Sequence, residues 1–158
     1  VLQLNSKVID ALQIPYGLTH LEVYWNHQNE ITFGEIALRP PGGYIMNLIT
    51  NSYGFDAFEA YVVNQLQKSL LIPNHPLKYS AAFIIHPGKG RIKEITGIEY
   101  LNKSPYLKSM KLKIKVGDEI NTRLGLGEEV GHVLFESDDL SKFLDYLSEI
   151  PQHFQIKF

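Results

Sequence analysis

The chain has 158 residues, fifteen basic and seventeen acidic side chains, a net charge of −2 and no cysteine. The missing cysteines exclude a disulfide scaffold, a thiolate zinc site, an iron–sulfur cluster and a cysteine nucleophile, and the lack of a basic excess argues against nucleic acid as a partner. No apolar run approaches the roughly 20 residues that span a bilayer and no signal peptide is visible, so no membrane partner is expected and the cytosol is the expected compartment.

The sequence begins Val1-Leu2-Gln3-Leu4 without a methionine and runs at once into apolar residues at helical spacing, Leu4, Val8, Ile9 and Leu12. That beginning reads as a C-terminal piece of a longer protein rather than a processed, complete chain. The spacing predicts a helix over 5–14, stopped before Pro15 and Gly17. Leu18–Trp25 and Ile31–Arg39 read as strands joined by the polar loop His27-Gln28-Asn29. Pro40-Pro41-Gly42-Gly43 breaks the second strand. A short helix is predicted over 44–51 and a better one over 56–67, where Asp56 can cap and Glu59 can complete a capping box.

Pro73 and Pro76 bracket a connector, which sets the expected division into 1–76 and 77–158. Strands are predicted over 79–85 and 91–100, separated by the turn His86-Pro87-Gly88-Lys89-Gly90. Lys111 to Val116 alternates lysine with apolar residues and reads as a strand closed by Gly117-Asp118. Residues 130–135 form another short strand. Ser137 and the two aspartates after it suit a helix start, with Leu140, Phe143, Leu144 and Leu147 on one face. Residues 154–158 close the chain as a strand. The fold class is α+β: a hairpin with helices, then a small β-rich domain with a terminal helix.

The chemistry concentrates in the first hairpin. Alternation puts His20, Glu22 and Tyr24 on one face of its first strand, and Phe33, Glu35, Ala37 and Arg39 on one face of its second. If Gln28 and Asn29 are the two turn residues, Glu22 lies opposite Glu35 and His20 opposite Ala37, with Cβ atoms about 4.5–5.5 Å apart. Like charges so placed repel. A hard divalent cation between them, Mg²⁺ or Mn²⁺, removes the repulsion. The alternative is a solvent-exposed face on which both glutamates are simply hydrated. Arg39, on the side of Glu35, offers a planar fork to a phosphate or carboxylate. Gly42 and Gly43 would let backbone N–H groups approach the same anion, or they form a plain turn.

Gly17-Leu18-Thr19-His20-Leu21-Glu22-Val23, a spacer, then Gly34-Glu35-Ile36-Ala37-Leu38-Arg39-Pro40 resembles the end of an ATP-grasp domain. The late hairpin of that family carries one acidic metal ligand per strand, followed closely by an arginine. The resemblance implies that Glu22 and Glu35 bind the metal and that Arg39, as the catalytic arginine, holds phosphate or the substrate carboxyl group. Many members have Asn where this chain has Ala37. That departs from the biotin carboxylase and carbamoyl phosphate synthetase pattern and is closer to the ATPase subunit of phosphoribosylaminoimidazole carboxylase and the amino-acid ligases.

Residues 78–158 are similar to the small β-rich domain that follows, through Gly88-Lys89-Gly90-Arg91-Ile92, Val116-Gly117-Asp118 and Gly131-His132-Val133. No segment matches the family's adenine hinge or phosphate-binding lysines. The chain therefore resembles the C-terminal part of such an enzyme and is expected to be inactive alone. The implied reaction uses Mg²⁺ and ATP to phosphorylate a carboxylate, whose acylphosphate an amine then attacks. Tyr24 and Phe33 would lie near the adenine or serve packing, and His20, with Gly42 and Gly43, would lie near substrate.

Weaker features have plainer readings. His86, His132 and His153 lack zinc-ligand spacing, and the lysines at 111, 113 and 115 suit a solvated strand edge. Gly88-Lys89-Gly90 is too short for a phosphate loop. Gly125-Leu126-Gly127-Glu128-Glu129 reads as a turn. The competing function is a non-catalytic β-rich interaction or regulatory module with a ligase shape. The oligomeric state is open, a homodimer included.

Overall fold

Short apolar runs punctuated by Gly, Pro and Asn favour small ladders over one large sheet. The computed structural model describes residues 1–86, 88–121 and 129–158. In chain order the elements are α1 (Leu2–Ala11), β1 (His20–Trp25), β2 (Ile31–Ala37), α2 (Ile45–Tyr53), α3 (Ala57–Gln65), β3 (Tyr79–Ile85), β4 (Gly90–Arg91) and β5 (Glu94–Thr96). They continue with α4 (Ile98–Asn102), β6 (Leu107–Leu112), β7 (Glu119–Ile120), β8 (Gly131–Ser137), α5 (Leu140–His153) and β9 (Gln155–Lys157). Every ladder among the described residues is antiparallel. The chain divides into two compact units, Val1–Met46 with Phe55–Ile72, and Asn47–Gly54 with Pro73–Phe158.

The first unit holds α1, the β1–β2 hairpin and α3. Helix α1 starts three residues earlier than its spacing predicts and ends at Ala11, where Gln13 turns left-handed at φ 52°. Asp56 caps α3 as expected: its carboxylate accepts the N–H groups of Phe58 and Glu59 at 2.9 and 3.1 Å. Those are two of the donors that a helix start otherwise leaves unmatched.

In the second unit β8 runs between β3 and β6. As the central strand it buries Val133, Leu134 and Phe135. Helix α5 joins this core through Phe143 and Ile150, with Tyr146 and Leu147 packed against it. The buried stripe is thus 143, 146, 147 and 150. Leu140 and Leu144, expected on the core face, are exposed. The Phe143 ring meets Tyr106 at 5.5 Å and Tyr146 meets Phe135 edge-on at 5.7 Å. A second stack runs from His153 over Tyr100 (4.1 Å) to Tyr146 (5.4 Å).

Two expected strands are corrected. The strand expected over 91–100 changes partners midway: Arg91 pairs with Glu119 on β7, while Glu94 pairs with Lys157 on β9. Between them the Ile92 N–H turns to Asp118 O and the Lys93 N–H to Lys157 O. Gly97, left-handed at φ 80°, then sends the chain into α4. The strand expected over 111–116 begins at Leu107 and leaves its ladder after Leu112. Residues 115–118 instead form a turn, in which the Lys115 N–H meets the Asp118 carboxylate.

Glu136 projects from β8 with its side chain only 18% exposed. Lys78 reaches it at 2.9 Å and Lys108 at 3.1 Å. The Lys78 hydrogen bond, reinforced by Lys108, holds the Glu136 carboxyl below the usual carboxylate range.

Candidate active site

The hairpin is built by its loop. Asn26 Oδ1 accepts the N–H groups of Gln28 and Glu30, both at 3.0 Å, while the Asn26 N–H donates to Glu30 O. Asn29 closes the loop in the left-handed region at φ 59°, which Asn tolerates better than most residues. Asn26 therefore faces Glu30, and the loop has three residues rather than the expected two. From it the ladder runs Trp25↔Ile31, Tyr24↔Thr32 and Val23↔Phe33. The register then shifts between Glu22 and Val23, and the far end runs Glu22↔Glu35, Leu21↔Ile36 and His20↔Ala37. Gly34 is the extra residue, a β-bulge.

The Glu22–Glu35 and His20–Ala37 pairs are those expected, reached by another route: the longer loop and the bulge offset each other. Phe33 is where this matters. It was expected on the glutamate face; the longer loop sets it opposite Val23, with Leu21 and Trp25, while Tyr24 stays with Glu22. A recess of about 210 Å³ on the bulge is lined by Glu22, Val23, Tyr24, Gly34 and Glu35. Tyr24 is 74% and Trp25 66% exposed, on opposite faces of β1. His20 Nε2 stands 3.9 Å from Glu22 Oε1, too far for a hydrogen bond.

Both carboxylates are exposed, and among the described residues neither has a lysine or arginine partner. Also among the described residues, no three His, Asp or Glu side chains converge as a metal site. Two adjacent exposed carboxylates have the donor chemistry by which Mg²⁺ is held, one or two carboxylates plus substrate phosphates and water.

Arg39 is corrected. Strand β2 ends at Ala37, so alternation no longer fixes its direction, and its guanidinium donates to its neighbour's carbonyl, Pro40 O, at 3.0 Å. Gly42 and Gly43 have open space where a Cβ would stand, and Gly43 is left-handed at φ 60°. Both precede the start of α2, the end of a helix that carries partial positive charge. The missed residue of this site is Gly34. Its signal was a lone glycine inside a strand pattern, which marks a bulge or a close backbone approach.

Elsewhere, Lys113 pairs with Glu129, and Lys111 lies opposite His132 on β8. Residues 87 and 125–128, parts of two expected turns, lie outside the described residues. No helix among the described residues is long and apolar enough to cross a membrane.

Comparison with known proteins locates this architecture. Residues 82–158 match the family described as L-amino acid ligase C-terminal domain 2. The L-arginine-specific L-amino acid ligase of Bacillus subtilis is 24% identical over 157 residues, which are 99% of this chain and 38% of that protein. The crystal structure of L-amino acid ligase from Bacillus licheniformis superposes with a TM-score of 0.79 at 19% identity, over 99% of this chain and 40% of that one. The chain corresponds in fold to the C-terminal part of an ATP-grasp ligase. Two further ligase-fold neighbours have the same reach. Phosphoribosylglycinamide synthetase from Anaerococcus prevotii has a TM-score of 0.73 and N5-carboxyaminoimidazole ribonucleotide synthetase from Thermotoga maritima one of 0.70. Each is 18% identical over 98% of this chain and 40% of its own. The chain thus spans about two fifths of the proteins it matches, and its ligase fold includes both the hairpin and the β-rich unit.

Proposed function

We propose that this chain is the C-terminal portion of an ATP-dependent ligase that activates a carboxylate as an acylphosphate for attack by an amine. The observation that carries the reading is the facing pair Glu22 and Glu35, two like charges side by side that have no lysine or arginine partner among the described residues. Mg²⁺, or Mn²⁺ in its place, would be held by Glu22 and Glu35 and would neutralise charge on the ATP phosphates. A carboxylate oxygen of the substrate attacks the γ-phosphorus and ADP leaves. The amine nitrogen then attacks the acyl carbon, phosphate departs and the nitrogen gives up a proton. Arg39, released from Pro40 O, would hold the acylphosphate or carboxylate through its paired N–H groups. Gly42 and Gly43 would offer backbone N–H groups to the same anion. Tyr24 remains beside the carboxylates as a wall for bound nucleotide. The relatives' names favour an amino acid as the carboxylate substrate.

The test is ADP release by the complete polypeptide that carries this sequence, with Mg²⁺, ATP and a panel of L-amino acids. Amino-acid-dependent release is expected, and Glu22→Gln or Glu35→Gln should lower it about tenfold or more at limiting Mg²⁺. Release that no carboxylate stimulates would refute ligation. Variants with unchanged magnesium dependence would refute the metal role.

A further inference from the structure

We infer that Gly34 and Tyr24 are positioning residues: the bulge at Gly34, covered by the Tyr24 ring, brings Glu22 and Glu35 onto one face. The loop sets the pairs Trp25↔Ile31, Tyr24↔Thr32 and Val23↔Phe33. Continued without interruption, that ladder would place Glu22 opposite Gly34 and Glu35 opposite Leu21. Residues facing each other across a ladder share a face, and a one-residue slip moves a side chain to the other face. Glu35 would then point away from Glu22, among Leu21, Val23, Trp25 and Phe33. One extra residue at Gly34 cancels the slip and restores Glu22↔Glu35.

The position is demanding. A Cβ at Gly34 would stand 2.9 Å from Glu22 O, a backbone atom, and 3.3 Å from Tyr24 Cε2. A side chain there must displace either the ladder or the ring. Tyr24 covers the bare glycine from the face that carries both carboxylates and forms one wall of their recess. Its ring packing, not its hydroxyl, is what the bulge uses.

The proposal rests on the metal reading for its functional meaning, and the experiment separates the two. The isotope-labelled chain is examined by NMR, reading cross-strand contacts for register and Mn²⁺-induced line broadening for cation binding. In the wild type, residues 22 and 35 are expected to be in contact and to broaden first. Gly34→Val should move the contacts to 22 with 34 and 21 with 35, and should raise the Mn²⁺ needed about tenfold. Deleting Gly34 leaves an unbroken ladder that still pairs 22 with 35, so it should keep both the contacts and the Mn²⁺ response. Tyr24→Phe should match the wild type, whereas Tyr24→Ala should weaken the response.

Gly34→Val with wild-type contacts and Mn²⁺ response would overturn the proposal. If that variant leaves the hairpin unpaired, the deletion decides: a retained 22–35 pair supports the proposal and its loss overturns it. A correctly paired wild type that ignores Mn²⁺ overturns the metal reading instead, and the contacts alone then judge the bulge.

Discussion

Arg39 stands two residues past the end of β2, with its guanidinium turned back onto Pro40 O. A backbone carbonyl accepts from lysine as readily as from arginine, so a structural role forecasts that Arg39→Lys is harmless. An arginine that grips a phosphate or carboxylate with two parallel N–H groups forecasts otherwise, because lysine keeps the charge and loses the fork. In the complete polypeptide, Arg39→Lys is expected to lower kcat/KM about tenfold or more at an unchanged melting temperature. Wild-type kinetics would return Arg39 to the turn. The facing pair Glu22 and Glu35 was legible only because two departures from the expected hairpin, a loop one residue longer and the bulge at Gly34, offset each other. Phe33 was not, because a bulge reverses the alternation on one side of it.

Elements show the same limit in larger form. Gly97 ends β5 and starts α4 in the left-handed region, and a Cβ there would fall 2.2 Å from His153 O, at the end of α5. Strain and collision with backbone act together, so Gly97→Ala should destabilise the second unit by more than about 3 kcal/mol. A urea titration measures it, and a loss below about 1 kcal/mol would mean that the backbone yields easily. The β1–β2 hairpin and β3 could be read from sequence because each runs long enough to show its period. The β4–β7 ladder could not: it is two residues long and its strand changes partners at Ile92. The lysine alternation at 111–116 misled because alternation describes a surface, while pairing ends where Asp118 captures the Lys115 N–H.

Acid response is a property of the whole second unit, and His132 and Glu136 are two of the groups that set it. Burial pushes the His132 imidazole below its ordinary 6.5, as do the positive charges of Lys113 and Lys111, while Glu129 opposes them. The unfolded chain therefore binds the proton first. His132's contribution is complete above about pH 6.5 and is lost as pH falls toward the lower folded value. Glu136 is also depressed, from 4.5, chiefly by the Lys78 hydrogen bond. Its contribution is complete above that value and disappears as pH falls through the folded one. Melting temperature between pH 8 and 3 is expected to fall first below 6.5 and again below 4.5. His132→Asn should remove the first step. Glu136→Gln should start lower at neutral pH, by about 1–2 kcal/mol, and lose less on acidification. Variants that follow the wild-type curve would refute the assignment.

Trp25 is the only tryptophan of the chain, exposed on β1 beside the loop that sets the hairpin's register. The ringed stack of Tyr100, Tyr146 and His153 belongs wholly to the other unit. The molecule therefore carries two separate optical labels of its own. Indole emission reports on the hairpin, and the stacked tyrosines add a near-ultraviolet dichroic signal from the β-rich unit. Loss of the hairpin can therefore be followed through the indole alone, with no dye attached.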